Sequence, residues 1–172
     1  MSLRLILILT GVAFAAQLPS CSSGRAKEPY RYSYKSGRTA RLVGGYAEAP
    51  RRAPRQVKQA IAAGNELLGK PYKYGGGHRH IYDSGYDCSG TVSYVLNRAG
   101  LMRGTMPSQG FRKYGKKGEG KWITLYAKNG HVFLVVAGLR IDTGGSRAHT
   151  GPRWKPRSRT TRGFYLRHPP GL

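Results

Sequence analysis

The stretch Asp87-Cys88-Ser89-Gly90 constrains this chain more than any other, because it sets one of only two cysteines at the mouth of an amphipathic helix. In the segment that follows, Val92, Val95, Leu96 and Ala99 share one face and Gly100 closes the pattern. The spacing predicts a helix that must bury that face against another element. Asp87 is the natural N-cap. A cysteine in the first turn feels the unpaired N–H groups and the positive end of the helix dipole, which favour the charged thiolate. Cys88 is therefore a candidate nucleophile, set against the plainer reading of a small core residue on an apolar helix.

The flanking patterns place that helix within a fold class. Upstream, Val57, Ile61, Leu67 and Leu68 form a helical stripe that starts near Pro54 and ends at Gly69 and Pro71. A glycine-rich polar loop, residues 74–87, joins it to the cysteine helix. Residues 100–120 read as a long surface connection rather than packed structure. Strands follow: residues 121–126 are β-prone, Asn129-Gly130 is a turn signal, and residues 131–136 form an apolar, β-branched run fit for a central strand. Gly138 permits a reversal into a strand over 139–143, and residues 163–167 offer a last one. Helices first and antiparallel strands afterwards make an α+β arrangement. Residues 54–172 suffice for one modest core. Residues 21–53, rich in Arg, Ser, Pro and Gly without apolar periodicity, read as a basic flexible linker.

The apolar run 5–16, preceded only by the charge of Arg4, is too short to span a bilayer and reads as an export signal over residues 1–20. Leu18-Pro19-Ser20 before Cys21 resembles a bacterial lipobox, although Pro19 departs from it, and Ala13-Phe14-Ala15 offers an ordinary cleavage site instead. Lipidation of Cys21 would leave Cys88 without a disulfide partner in an oxidising compartment. The expected location is the cell envelope, at the periplasmic face of the outer membrane if lipidated and otherwise periplasmic or secreted. The whole chain carries a formal charge of +23, and loss of residues 1–20 removes only Arg4. Such a charge calls for an acidic neighbourhood: anionic lipid, lipopolysaccharide or carboxylate-rich wall, with export arguing against nucleic acid.

A thiolate nucleophile needs an imidazole partner and a polar group to orient that imidazole. His131 opens a core strand directly after a turn, which makes it the best placed of the five histidines. Asp142, on the neighbouring strand, is spaced to face its ring across a hairpin; it is equally placed to pair with Arg140 or a tail arginine. His78 and His80, with Asp83, lack further ligands at any recognised spacing, so no metal is expected. Gly75 to Gly77 lacks the Lys-Ser/Thr ending of a phosphate loop and more simply serves close chain approach.

In order, Pro71-Tyr72 with Gly75-Gly76, then Asp87-Cys88-Ser89-Gly90, then Gly130-His131-Val132 resemble the NlpC-type cell-wall cysteine peptidases over roughly residues 55–145. The resemblance implies a papain-like α+β core and hydrolysis of peptide bonds in peptidoglycan stem peptides or cross-links, without a cofactor. It assigns Cys88 as nucleophile and His131 as general base. Tyr72 matches a tyrosine beside the nucleophile, and Asp87 and Ser89 match positions that line the substrate groove. At the third catalytic position, where His, Asn or Gln is usual, Asp142 stands with Thr143 as its rival. A monomer is expected, bound to the membrane only through Cys21. An amidase or acyltransferase on the same fold, a non-catalytic wall-binding lipoprotein, and a toxin against other cells' walls remain alternatives. The basic segment beyond residue 145 has no assigned role.

Overall fold

The computed structural model describes residues 24–144 and 150–172; the expected signal and Cys21 lie outside the described residues. Among the described residues, two α-helices pack against one face of an antiparallel six-stranded sheet, which makes the fold α+β. A short hairpin, β1 (Arg41–Val43) and β2 (Tyr46–Glu48), precedes α1 (Arg55–Glu66) and α2 (Cys88–Arg98). A single 3-10 turn, Gly110–Lys113, leads to β3 (Lys116–Lys117), β4 (Ile123–Lys128), β5 (His131–Val136), β6 (Leu139–Asp142), β7 (Arg153–Lys155) and β8 (Tyr165–His168). The sheet order is β3-β8-β4-β5-β6-β7, so the C-terminal strand is inserted between β3 and β4.

Alternation along β5 and β6 divides the apolar residues between two clusters. Val132, Leu134 and Val136, with Leu139 and Ile141, join the helix faces in the main core. Phe133 and Val135 face the other way, where they meet Tyr30, Tyr126, Phe164 and Leu166 in a smaller aromatic cluster. Helix α1 ends at Glu66, one turn short of the expected glycine, and Leu67 still buries its side chain as the C-cap. Asn65 ties three elements together: its amide oxygen accepts from the Ala47 N–H of β2 at 2.9 Å and from the Trp154 indole of β7 at 2.8 Å. Close approach of that indole explains Gly64, where a Cβ would stand 2.4 Å from the Trp154 ring.

Two expectations are corrected. Residues 24–53 do not form a flexible linker. Their backbone bridges β8 through Gly24 and the 159–164 loop through Ala26 and Tyr30, and the Ala40 N–H donates to the Ala137 carbonyl at 2.7 Å. Tyr30 is 5% exposed; its hydroxyl donates to the Gly138 carbonyl at 2.9 Å and accepts from the Arg140 N–H at 3.2 Å. Low apolar content misleads here because a few anchors, Tyr30, Ala40 and Ala47, carry the burial that periodicity tests average over. Residues 100–120 likewise are more than a surface connection: Phe111 is fully buried and β3 pairs with β8.

Candidate active site

The start of α2 is built by Asp87. Its Oδ1 accepts from the Gly90 N–H at 2.7 Å, the cap expected from the sequence, and its Oδ2 accepts from the Gly75 N–H at 3.0 Å. One carboxylate thus holds both the helix start and the glycine-rich loop. The loop lies so close that a Cβ on Gly90 would fall 1.9 Å from the Gly76 carbonyl oxygen. Cys88 stands at this junction, partly exposed and free of any disulfide.

Strand β5 delivers His131 to the same place. The Asn129-Gly130 turn pairs Lys128 with His131 in the β4–β5 hairpin and fixes the imidazole at the strand's first position. The β5–β6 register sets Leu134 opposite Ile141 and Val135 opposite Arg140, which turns Asp142 toward the face that carries Phe133. Asp142 Oδ1 lies 2.9 Å from His131 Nε2. Thr143, the rival, is buried and its hydroxyl has no hydrogen-bond partner among the described residues. With Nε2 engaged by Asp142, Nδ1 is the ring nitrogen left for another partner.

The electrostatics follow from that arrangement. Burial pulls the His131 pKa down, but hydrogen bonds to Asp142 and Cys88 and the negative charge of both raise it above its ordinary value. Burial opposes ionisation of Asp142, yet the His131 hydrogen bond and the charges of His131, Arg159 and Arg140 hold its carboxyl below the usual range. Asp142 pairs with the histidine and with arginines at the same time: its second oxygen accepts from Arg140 and, at 2.6 Å, from Arg159. The two guanidinium groups are themselves packed on aromatic rings, Arg140 over Tyr30 and Phe133, and Arg159 over Phe133 and Phe164.

At Tyr72, burial, then the charges of Cys88 and Asp87, push the hydroxyl pKa up. Asp87 and Ser89 are different. Both are buried, and the Ser89 hydroxyl donates to Asp87 Oδ1 at 3.1 Å. His78 Nε2 lies 3.1 Å from the same carboxylate oxygen and 3.0 Å from the Ser89 hydroxyl, so this pair is tied to the loop rather than presented openly to a groove. Sequence reasoning missed that link, since nothing in the spacing of 78 to 87 and 89 signals it. It also did not single out Arg159, a tail arginine that reaches Asp142. Among the described residues no three of His, Cys, Asp and Glu converge as metal ligands.

No curated protein matches the chain. Residues 69–140 match the NlpC/P60 family, whose members are cysteine peptidases that act on peptidoglycan peptides. Tyr72, Cys88 and His131 fall inside the matched segment and Asp142 two residues beyond it. Through that segment, which carries the helix start and the histidine strand on which the site is built, the chain is similar to the NlpC/P60 family.

Proposed function

We propose that the protein is a peptidoglycan endopeptidase that cleaves stem peptides or their cross-links with Cys88 as nucleophile, His131 as general acid and base, and Asp142 as the group that orients the imidazole. The observation that supports this reading is the 2.9 Å contact of His131 Nε2 with Asp142 Oδ1, on an imidazole whose pKa Cys88 also raises. The Cys88 thiolate attacks the scissile carbonyl carbon, a C–S bond forms, and the carbonyl π electrons move to oxygen. In this reading the backbone N–H of Cys88, at the first residue of α2, serves as an oxyanion donor. Collapse breaks the C–N bond, and the leaving amine takes the proton held by His131 Nδ1. Water then gives a proton back to His131 as it attacks the thioester, and cleavage of the C–S bond restores the thiolate.

In this reading Tyr72 borders the substrate beside Cys88, while Asp87 and Ser89 shape the groove by fixing the loop. The raised pKa of His131 favours an imidazolium beside a thiolate. The peptidase domain extends from residue 24, not 54. A lipid on Cys21 tethers it in the cell envelope. Metabolic labelling with an alkynyl fatty acid, lost on Cys21→Ser, tests that attachment.

The deciding experiment incubates the full chain and its Cys88→Ala variant with peptidoglycan sacculi and identifies released peptides by mass spectrometry. Peptides with new amino termini inside the stem, released only by the wild type, support the assignment and name the bond. Sedimentation of both forms with sacculi and release by neither sinks it in favour of a wall-binding role.

A further inference from the structure

The ordered N-terminal segment forms one wall of a groove of about 1280 Å³ whose opposite side is Lys121-Trp122. We propose that this groove binds an acidic polysaccharide chain, with sugar rings against Trp122 and Tyr34 and the acid groups held by Arg38, Arg51, Arg52 and Lys121.

The charges in the groove are unspent. Each of those four cations lacks a carboxylate within 4 Å among the described residues, although all seven acidic residues of the chain are described. The one acid in the wall, Glu48, is already taken by Arg41, whose Nη2 and Nε lie 2.8 and 3.1 Å from the same carboxylate oxygen. Four cations facing one cavity repel one another, and an anion inside it relieves that repulsion. Guanidinium groups suit the task, since their fork matches a carboxylate or phosphate with two parallel hydrogen bonds.

The walls are fixed, which lowers the ordering cost of binding. Ala40 is hydrogen-bonded to Ala137, the Tyr32 hydroxyl donates to the Ala40 carbonyl at 3.0 Å, and Thr39 is buried. On the other side the Trp122 carbonyl accepts from the Ala137 N–H at 2.7 Å, so one turn residue braces both walls. Trp122 is half-buried against the core, and Tyr34 is 52% exposed. Two aromatic surfaces among cations suit sugar rings that bear acid groups. The apolar leader at residues 5–16 favours an extracytoplasmic glycan over nucleic acid as the occupant.

None of Tyr72, Cys88, His131 or Asp142 lines the groove, so this site is independent of the peptidase reading and is best tested without turnover. Full-length Cys88→Ala protein is titrated with hexagalacturonate, following heat and tryptophan fluorescence. The expected result is salt-sensitive binding that perturbs Trp122, is weakened about tenfold or more by Arg51→Ala with Arg52→Ala, and is nearly unchanged by Arg103→Ala with Lys113→Ala. Both of the latter residues are exposed and lie outside the groove. Circular dichroism checks that each variant is folded. Equal loss in the two double variants overturns the proposal, because binding is then diffuse charge attraction. It also falls if neutral chitohexaose binds as tightly, if polyphosphate or oligo-dT binds more tightly than hexagalacturonate through the same arginines, or if nothing binds.

Discussion

Asp142 presents one oxygen to His131 Nε2 at 2.9 Å and the other to Arg140 and Arg159, so a single buried carboxylate serves an imidazole and two guanidinium groups. Asp142→Asn keeps the shape and removes the charge. Both arginines then lose their counter-ion, and the expected cost is about 3 kcal/mol of stability, as for a buried pair broken on one side. The His131 titration, followed by NMR, moves to lower pH, and hydrolysis of stem peptides falls by about 10²–10⁴-fold. An unchanged His131 titration would refute the assigned role of Asp142.

The same pair fixes a pH dependence. His131 holds its proton more tightly in the folded chain than in the unfolded one, because its pKa is raised from 6.5. Its contribution to stability is therefore complete below about pH 6.5 and is lost as pH rises through the folded value. Asp142 runs the other way: its contribution is present above the unfolded pKa of about 3.9 and is lost as pH falls through its lowered value. Urea midpoints of wild type and His131→Ala should differ most near pH 6 and converge toward pH 9. A gap that widens with pH contradicts the ion pair.

Tyr30→Phe removes a hydroxyl that bonds both Gly138 and Arg140. Burial pushes the Tyr30 pKa up to about 12, so the group is a neutral O–H donor at any working pH. Its loss leaves a buried N–H unpaired, and thermal unfolding should show a cost of about 1–3 kcal/mol. Deleting residues 24–53 opens the aromatic cluster as well as the main core; such a chain should bind a hydrophobic dye, and a cooperative melt at the wild-type temperature would show the segment to be dispensable.

Gly90→Ala drives a methyl into the Gly76 carbonyl, 1.9 Å away. Backbone must move to relieve it, costing about 3 kcal/mol. The displaced part is the loop that Asp87 clamps beside Cys88. Limited proteolysis should therefore cut near residues 75–77 in the variant and spare the wild type there.

What the sequence made legible was local or spaced by one hairpin. The cysteine helix, its Asp87 cap and the His131 strand are visible because periodicity and turn residues act over a few positions. Asp142 follows from a single reversal at Gly138. The Tyr30 segment escaped because its partners, Gly138 and Arg140, stand more than a hundred residues away and only one side chain carries the anchor. Arg159 reaches Asp142 from an irregular loop with no pattern to read, and one buried Phe111 does not make a periodic signal in residues 100–120. The contact of Ser89 with His78 was hidden for a similar reason: no spacing signals it, and the two meet only where the loop docks on the helix start.

The docking of the N-terminal segment also sets how far the site could work from a lipid on Cys21. A free run of some thirty residues would give Cys88 a radius of action on the order of 100 Å at full extension. Instead the Gly24 carbonyl accepts from the Leu166 N–H, and the chain is fixed only three residues after Cys21. Three residues extend about 10 Å. An enzyme held by a lipid at Cys21 would then stand on the membrane rather than range from it, and only wall strands that pass close to that surface would come within its bite.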